Sequence, residues 1–175
     1  MENEASRTPA NEAADRDEIR QLIATYTAEG DRGRVDKLAH IFAEDAVMAI
    51  PTWRAEGRAG IVKALSGGGR AKAAAPDATV GARGRIMRHH LTTCYITFDG
   101  PDDATGRTYW INFSEAGADH SGLYADKYKR IDGRWRIVFR EVRLDWKAPN
   151  SWTGPDMLIG PRPDNLPPLP VFRGE

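Results

Sequence analysis

The N-terminal third of the chain carries apolar residues at helical spacing. The first set lies at positions i, i+3, i+4 and i+7: Ile19, Leu22, Ile23 and Tyr26. This spacing predicts an amphipathic helix, which begins at a capping box formed by Asp15 and Glu18 and ends near Gly30. A second helical pattern covers residues 35–42, and a third helix is predicted over residues 59–65.

After residue 86 the apolar period changes from that of helices to that of strands. Four segments alternate between apolar and polar residues: 86–98, 105–114, 121–131 and 134–146. Asp132 and Gly133 join the last two segments and favour the tight turn of a β-hairpin. A short buried strand is also predicted at residues 46–51. Helices followed by long antiparallel strands predict an α+β fold, in which helices cover one face of a bent sheet and enclose a pocket.

Two segments show neither period. Residues 66–84 are rich in Ala, Gly and basic residues, lack phosphate-binding motifs, and are predicted to form a mobile loop. Residues 148–175 contain many prolines, which exclude regular helix. This tail carries apolar residues that could anchor it: Trp152, Met157, Leu158, Ile159, Val171 and Phe172. The alternatives for the tail are a lid over the pocket, a contact with a neighbouring subunit, or disorder. The chain thus divides into a flexible lead (1–14), one domain (15–147) and an extended tail.

Composition narrows the classes of function. The 25 basic and 25 acidic residues give a net charge of +0, so neither nucleic acid nor a membrane surface is an expected partner. Cys94 is the single cysteine, which excludes an intrachain disulfide and a site with several thiolates. The acidic N-terminus lacks the apolar core of a signal peptide, and no apolar run is long enough to span a bilayer. A cytoplasmic protein is expected.

The candidate chemistry lies in the predicted strand 86–98. Side chains alternate between the faces of a strand, with His89, Leu91, Thr93 and Tyr95 on one face and His90, Thr92, Cys94 and Ile96 on the other. One of the two adjacent histidines must therefore point inward. An imidazole on the concave face, together with a carboxylate delivered by a helix, can move a proton at neutral pH.

Asp31 follows the first helix and is the candidate carboxylate. On the residues alone, an aspartate at this place is also a helix cap or turn former. His40, His90 and His120 are interpreted as structural histidines. Cys94 faces away from His89, so a Cys–His nucleophilic pair is not expected. Adjacent histidines diverge, so no metal site is expected there, and no cofactor is predicted.

Five stretches, in order and spacing, resemble the SnoaL-like branch of the NTF2-like superfamily. They comprise residues 28–31 with 35–38, 42–47, 57–61, 88–92, and 124–126 through 132–135. The resemblance covers roughly residues 15–147. It implies a cone of curved antiparallel sheet closed by three N-terminal helices.

The resemblance also implies an active site. Scytalone dehydratase and hexachlorocyclohexane dehydrochlorinase of this branch use an aspartate and a histidine at the positions that match Asp31 and His89. Their other pocket residues imply electrophilic support from Tyr26 and Arg140, although Tyr26 also fits simple core packing and Arg140 the outer face. The further pocket residues expected here are Trp53, Thr93, Trp110, Asn112 and Tyr124.

Three positions argue against scytalone itself as the substrate. The tyrosines that handle the departing water in scytalone dehydratase are replaced here by Gly30 and Ile50, and that enzyme's second histidine falls near Ser114. The aromatic wall instead suits another small hydrophobic or aromatic molecule.

The resulting hypothesis is a cofactor-independent lyase or isomerase. Elimination, double-bond migration or retro-aldol cleavage would each begin when the Asp31–His89 pair abstracts a proton. Two alternatives stay open: a non-catalytic protein that binds small ligands, and a structural subunit resembling the small subunit of ring-hydroxylating dioxygenases. Relatives imply a homo-oligomer, either a dimer or a trimer.

Overall fold

The computed structural model describes residues 8–68, 87–115, 117–151, 153, 157–160 and 171–174. Most of the predicted loop (69–84) and Trp152 of the tail lie outside these residues. The helices are α1 (Pro9–Gly30), a 3-10 helix (Val35–Ile41), α2 (Gly57–Lys63) and a π-helical turn (Ala64–Gly68). The strands are β1 (Phe42–Ile50), β2 (Trp53–Glu56), β3 (Met87–Phe98), β4 (Asp103–Ser114), β5 (Gly117–Ile131), β6 (Arg134–Lys147) and β7 (Val171–Arg173).

The predicted α+β class is confirmed, with one curved, unclosed sheet of seven strands in the order β3-β4-β5-β6-β1-β2-β7. Strands β3 to β6 form the predicted antiparallel meander. The turn between β5 and β6 has positive φ at both Asp132 and Gly133, as the hairpin prediction requires. The sheet is not wholly antiparallel, because β1 pairs in parallel with β6, and β7 with β2.

The predicted set of three N-terminal helices is not confirmed. Among the described residues, only α1 is a long helix before the sheet, because residues 35–41 form a 3-10 helix and α2 follows β2. Helix α1 also begins earlier than predicted, where Asn11 donates a backbone hydrogen bond to the hydroxyl of Thr8. Asp15 instead accepts a hydrogen bond from Trp135 Nε1 at 3.0 Å, which ties α1 to β6. The division into lead, domain and tail stays a prediction.

The core lies between α1 and the concave face of the sheet. Ile19 and Ile23 of α1 are fully buried with Ile137 and Trp135 of β6. Burying such a side chain stabilises the fold by about 1.5–3 kcal/mol, so this amphipathic face holds the helix on the sheet. Among the described residues, no helix is both long and apolar enough to cross a membrane.

A β-bulge in β3 overturns the predicted alternation beyond Leu91. Leu91 pairs with Trp110 and Cys94 with Thr108, so β3 has one residue more than β4 between these two pairs. The extra residue reverses the faces. Thr93 is therefore exposed, and the prediction that it lines the pocket is wrong.

The same bulge corrects the expected outer face. Ile96, predicted to lie outside, is buried in the core, and Cys94 is half-buried on the inner side, in contact with Thr108. Tyr95, predicted to share the face of His89, is 69% exposed. Cys94 and His89 therefore lie on the same face of β3, although no contact joins them among the described residues.

The described parts of the tail dock on the same chain. Gly160 donates its backbone hydrogen to Leu144 O at 2.7 Å, and β7 then pairs with β2. The Phe172 ring packs edge-on against Trp53 at 6.1 Å. Gly60 of α2 lies so close to β7 that a Cβ atom there would be 2.6 Å from Phe172 O.

This close approach predicts that Gly60→Ala weakens the docking of β7. Alanine favours a helix over glycine by about 1 kcal/mol, but the new methyl group would collide with a backbone oxygen. We expect a lower thermal midpoint and faster cleavage of the C-terminal segment in limited proteolysis. Gly100→Ala is the control, because no atom lies within 4 Å of its Cβ position. A Gly60→Ala protein with unchanged proteolysis and a raised midpoint would contradict the proposed packing.

Candidate active site

The carboxylate of Asp31 connects the end of α1 to strand β3. The Asp31 backbone continues the helix by donating to Thr27 O at 2.9 Å. Its side chain is 7% exposed and accepts the backbone hydrogen of His89 at 2.8 Å through Oδ2. Its Oδ1 lies 2.6 Å from His89 Nδ1. A carboxylate only accepts, so Nδ1 carries the hydrogen, and Nε2 of the neutral ring is an acceptor. The structure thus brings together the two residues that the sequence singled out.

Asn112 holds the opposite side of the His89 ring. It lies directly across from His89 in the β3–β4 pairing and is fully buried. Its Nδ2 is 3.3 Å from His89 Nε2, which is a long and weak hydrogen bond. Asn112 therefore lies beside Nε2 and is not among the residues that line the cavity, and it orients the ring without holding Nε2 strongly.

His89 faces a mostly apolar cavity of about 200 Å³ between the helices and the concave sheet. The predicted site residues in its wall are Tyr26, Asp31, Trp53, His89, Trp110 and Tyr124. Met157 of the tail also lines it. A larger groove, of about 440 Å³, lies on the outer face of the sheet around Tyr95 and includes neither Asp31 nor His89. The inner cavity is the candidate active site, because it contains the proton-transfer groups.

Two tyrosines form one side of the cavity. The ring of Tyr26 packs edge-on against Tyr124, with 5.5 Å between the ring centres, and its hydroxyl lies 4.0 Å from Met48 Sδ. Burial raises the pKa of Tyr26 to about 12. Burial likewise raises the pKa of Tyr124 well above its ordinary value. Both phenols therefore stay protonated at neutral pH and can act as hydrogen-bond donors.

Arg140 lies behind these tyrosines and does not line the cavity. Its Nε and Nη2 donate to the two oxygens of Asp126 at 2.8 and 2.7 Å, and both side chains are fully buried. The guanidinium also lies over the rings of Tyr26 and Tyr124, at 4.3 and 4.4 Å from the ring centres. Arg140 is therefore not placed to contact a ligand directly, as the predicted electrophilic role requires, because Asp126 neutralises its charge and the two tyrosine rings cover it.

The alternative interpretation of Arg140 as an outer-face residue is also wrong. Ile137 pairs with Tyr128 and Phe139 with Lys127, so β6 has an extra residue at this point. This bulge turns Arg140 inward where simple alternation from Ile137 would turn it outward. The arginine thus supports the cavity wall from within the core.

His120 is a wall residue that the sequence interpretation missed. Its Nδ1 lies 2.8 Å from Asp119 Oδ1, which also accepts a hydrogen bond from Ser151 Oγ at 2.5 Å. The ring of His120 is perpendicular to that of His89, with 6.3 Å between the ring centres. Burial lowers the pKa of His120, and the Asp119 carboxylate opposes this effect. The cavity therefore contains a second histidine with its own carboxylate.

A bulge in β5 places His120 on the inner face, which the alternation of strand residues does not predict. Asn112 pairs with His120 and Phe113 with Ala118, so Asp119 is the extra residue, and both it and His120 are buried. Strict alternation would place adjacent residues on opposite faces. The sequence around residues 117–121 carries no pattern that marks this bulge. Within the described residues, no group of three or more His, Cys, Asp or Glu side chains is placed to hold a metal ion.

The chain belongs to the SnoaL-like domain family, whose sequence model matches residues 11–141. This confirms the resemblance to the SnoaL-like branch of the NTF2-like superfamily. No curated protein matches the sequence at a significant level.

Several solved structures are similar. A proposed scytalone dehydratase from Novosphingobium aromaticivorans is 20% identical, with a TM-score of 0.67 over 92% of this chain and 100% of that chain. A hexachlorocyclohexane dehydrochlorinase from Novosphingobium barchaimii is 19% identical, with a TM-score of 0.65 over 92% and 100% of the two chains. An NTF2-like protein with a cystatin-like fold from Novosphingobium aromaticivorans is 28% identical, with a TM-score of 0.60 over 80% and 92%. At such identities the two enzymes show a shared fold.

The buried ion pair predicts a large loss of stability in Arg140→Met. This change leaves the Asp126 carboxylate buried with its charge uncompensated, which costs about 3–5 kcal/mol. Arg143→Met on the same strand is the control, because its pair with Glu141 is partly exposed and is worth about 0–1 kcal/mol. Unfolding free energies from chemical denaturation measure both. Similar small losses in the two variants would contradict the structural role of Arg140.

The lowered pKa of His120 predicts that stability falls with acidity. The folded state binds a proton at His120 less readily than the unfolded chain, whose histidine has a pKa of about 6.5. The contribution of His120 to the unfolding free energy is fully present above about pH 6.5 and is lost as the pH falls below this value. We expect His120→Gln to have a shallower decline than the unmodified protein, in denaturation curves measured across this range. His40→Gln, at an exposed histidine, should keep the original slope, and an unchanged slope in His120→Gln would contradict the assignment.

Proposed function

We propose that the protein is a cofactor-independent lyase or isomerase in which His89, oriented by Asp31, removes a proton from a carbon atom of a small, mostly apolar substrate. The observation that carries this proposal is the 2.6 Å contact between Asp31 Oδ1 and His89 Nδ1 in the wall of an apolar cavity. The named reactions of two similar structures, a dehydratase and a dehydrochlorinase, are both eliminations and agree with it.

The dyad acts through its two ring nitrogens. Asp31 accepts the hydrogen of Nδ1 and so leaves the lone pair of Nε2 available to take a proton from carbon. The imidazolium that forms is stabilised by the adjacent carboxylate. General base catalysis of this kind contributes about 10²–10⁴-fold to the rate. The weak contact from Asn112 must give way when Nε2 takes up the proton.

The path taken by the electrons of the broken C–H bond distinguishes an elimination from an isomerisation. In an elimination they form a double bond while the leaving group departs with its own electron pair. In an isomerisation the double bond shifts, and His89 returns the proton to a different carbon atom. Tyr26, a neutral donor in the cavity wall, is the group best placed to support the departing group or a developing negative charge. Arg140 supports Tyr26 from behind, because its guanidinium lies on the face of that ring.

The walls favour a hydrophobic or aromatic substrate. Trp53, Trp110 and Tyr124 present ring faces or edges to the cavity. Such surfaces bind planar apolar molecules by area burial and ring stacking. The two non-catalytic alternatives, a ligand-binding protein and a dioxygenase small subunit, have no specific support among the described residues. A homo-oligomer stays a prediction from the resemblance.

The test compares variants of the dyad. Turnover is first found by proton NMR on a panel of β-hydroxy ketones and chlorinated cyclohexanes. Asp31→Asn and His89→Gln should each reduce that turnover by about 10²-fold or more, because either change removes the oriented base. Both proteins should keep their fold, since in either variant the backbone N–H of residue 89 can still donate to a side-chain oxygen of residue 31. Circular dichroism checks this.

His90→Gln is the matched control. This neighbouring histidine is exposed on the other face of β3 and should keep full turnover when changed. Undiminished turnover in a folded His89→Gln protein would refute the proposed base.

A further inference from the structure

The tail contributes a side chain directly to the cavity wall. Among the described residues, Met157 is the single tail residue that lines the cavity, and its half-buried side chain packs against the core. The family model ends at residue 141, so the segment that carries Met157 lies beyond the matched region. The contacts of Met157, and not the family resemblance, therefore define its role.

Hydrogen bonds hold Met157 in this position. Its backbone oxygen accepts from Lys147 Nζ at 3.2 Å, and its Sδ lies 3.9 Å from Thr52 Oγ1. A little further along the tail, Gly160 donates its backbone hydrogen to Leu144 O at 2.7 Å. The tail is thus attached both to β6 and to the turn between β1 and β2, which keeps the methionine side chain in the wall.

Two further tail residues support the wall from outside. The Phe172 ring packs edge-on against Trp53, with 6.1 Å between the ring centres. Ser151 Oγ donates to Asp119 Oδ1, the same oxygen that pairs with His120 Nδ1. Trp53 and His120 both line the cavity. The docked tail therefore helps to fix the shape of the cavity, in addition to filling part of its wall.

The cavity is small for a ligand site. Its volume of about 200 Å³ is below the range of about 300–1,000 Å³ that is usual for sites of drug-sized ligands. An apolar cavity of about 150 Å³ accommodates benzene. The cavity therefore has room for a ligand with about one six-membered ring, and any side chain that fills its wall affects which ligand fits.

We propose that Met157 sets the upper size of the ligand and restricts this cavity to small molecules with a single ring. The inference rests on the proposed function for the choice of this cavity as the substrate site, and it adds the size class of the substrate. The thioether packs against the bound ring, as methionine sulfur does against aromatic rings. Fused ring systems are excluded, because the Met157 side chain, held by the tail, occupies the space that a second ring needs.

The binding of two fluorinated probes tests this size limit. Fluorobenzene and 1-fluoronaphthalene differ by one fused ring, and fluorine NMR gives the dissociation constant of each without any turnover. The informative quantity is the ratio of the two affinities. Met157→Ala should raise the relative affinity for 1-fluoronaphthalene by about 10-fold or more, because its second ring is then buried in the cavity. Met157→Leu conserves the side-chain volume and should keep the original ratio.

Ile159→Ala is the matched control in the same part of the tail. Ile159 is 53% exposed and is not among the residues that line the cavity, so its loss should leave the ratio unchanged. Limited proteolysis shows whether the tail stays docked in each variant. If Met157→Ala releases the tail, Met157→Phe provides the test, because a bulkier side chain in the same place should weaken the binding of fluorobenzene itself by about 10-fold.

Four results would overturn the inference. The first is an unmodified protein that binds 1-fluoronaphthalene more tightly than fluorobenzene, and the second is an equal rise of the ratio in Ile159→Ala. The third is an unchanged ratio in a docked Met157→Ala protein or, where that variant releases its tail, unchanged binding of fluorobenzene to Met157→Phe. The fourth is a protein that binds neither probe.

These binding measurements fail independently of the proposed function, which turnover decides. An affinity ratio that responds to Met157, together with undiminished turnover in His89→Gln, would refute the base and leave the size limit standing. Turnover that depends on His89, with an affinity ratio that ignores Met157, would do the reverse.

Discussion

The organisation of this protein depends on the carboxylate of Asp31, which receives two hydrogen bonds from a residue 58 positions away. One bond comes from the His89 backbone and the other from its ring, so the contact sets the position of β3 relative to α1 and the orientation of the imidazole together. A buried carboxylate must be hydrogen-bonded to be tolerated, which makes this pairing structurally necessary. The second ring nitrogen, Nε2, takes no part in this pairing and lies 3.3 Å from Asn112 Nδ2.

A second buried charge supports the opposite wall. Arg140 and Asp126 neutralise each other, and the guanidinium fills the space behind Tyr26 and Tyr124. Removing such a pair from water costs free energy, so it contributes more to a defined arrangement than to stability. The guanidinium of the pair packs against the rings of Tyr26 and Tyr124 and holds these two neutral phenols in the cavity wall. Electrostatic interactions of the dyad are stronger in a cavity of low dielectric constant than in water.

Where the sequence interpretation placed a strand residue on the wrong face of the sheet, the cause was a β-bulge each time. Alternation assigned faces correctly from His89 to Leu91, and then a bulge in β3 moved Thr93 outside. A bulge in β5 brought Asp119 and His120 inside together, and one in β6 turned Arg140 inward. Each insertion of one residue reverses every assignment that follows it along the strand. Of the predicted pocket residues, Trp53, Trp110 and Tyr124 line the cavity, whereas Asn112 contacts His89 Nε2 without lining it.

By itself, the sequence determined the elements with a strong local signal. The apolar stripe of α1, the alternation of the meander and the positive φ turn at Asp132 and Gly133 all follow from periods and backbone preferences within a few residues. The resemblance to a family added the pairing of Asp31 with His89. Only the tertiary structure decided which residues face the cavity beyond each bulge and where the C-terminal strand docks. These features depend on pairing between distant segments, and local sequence patterns carry no information about how an extra residue is accommodated across two strands.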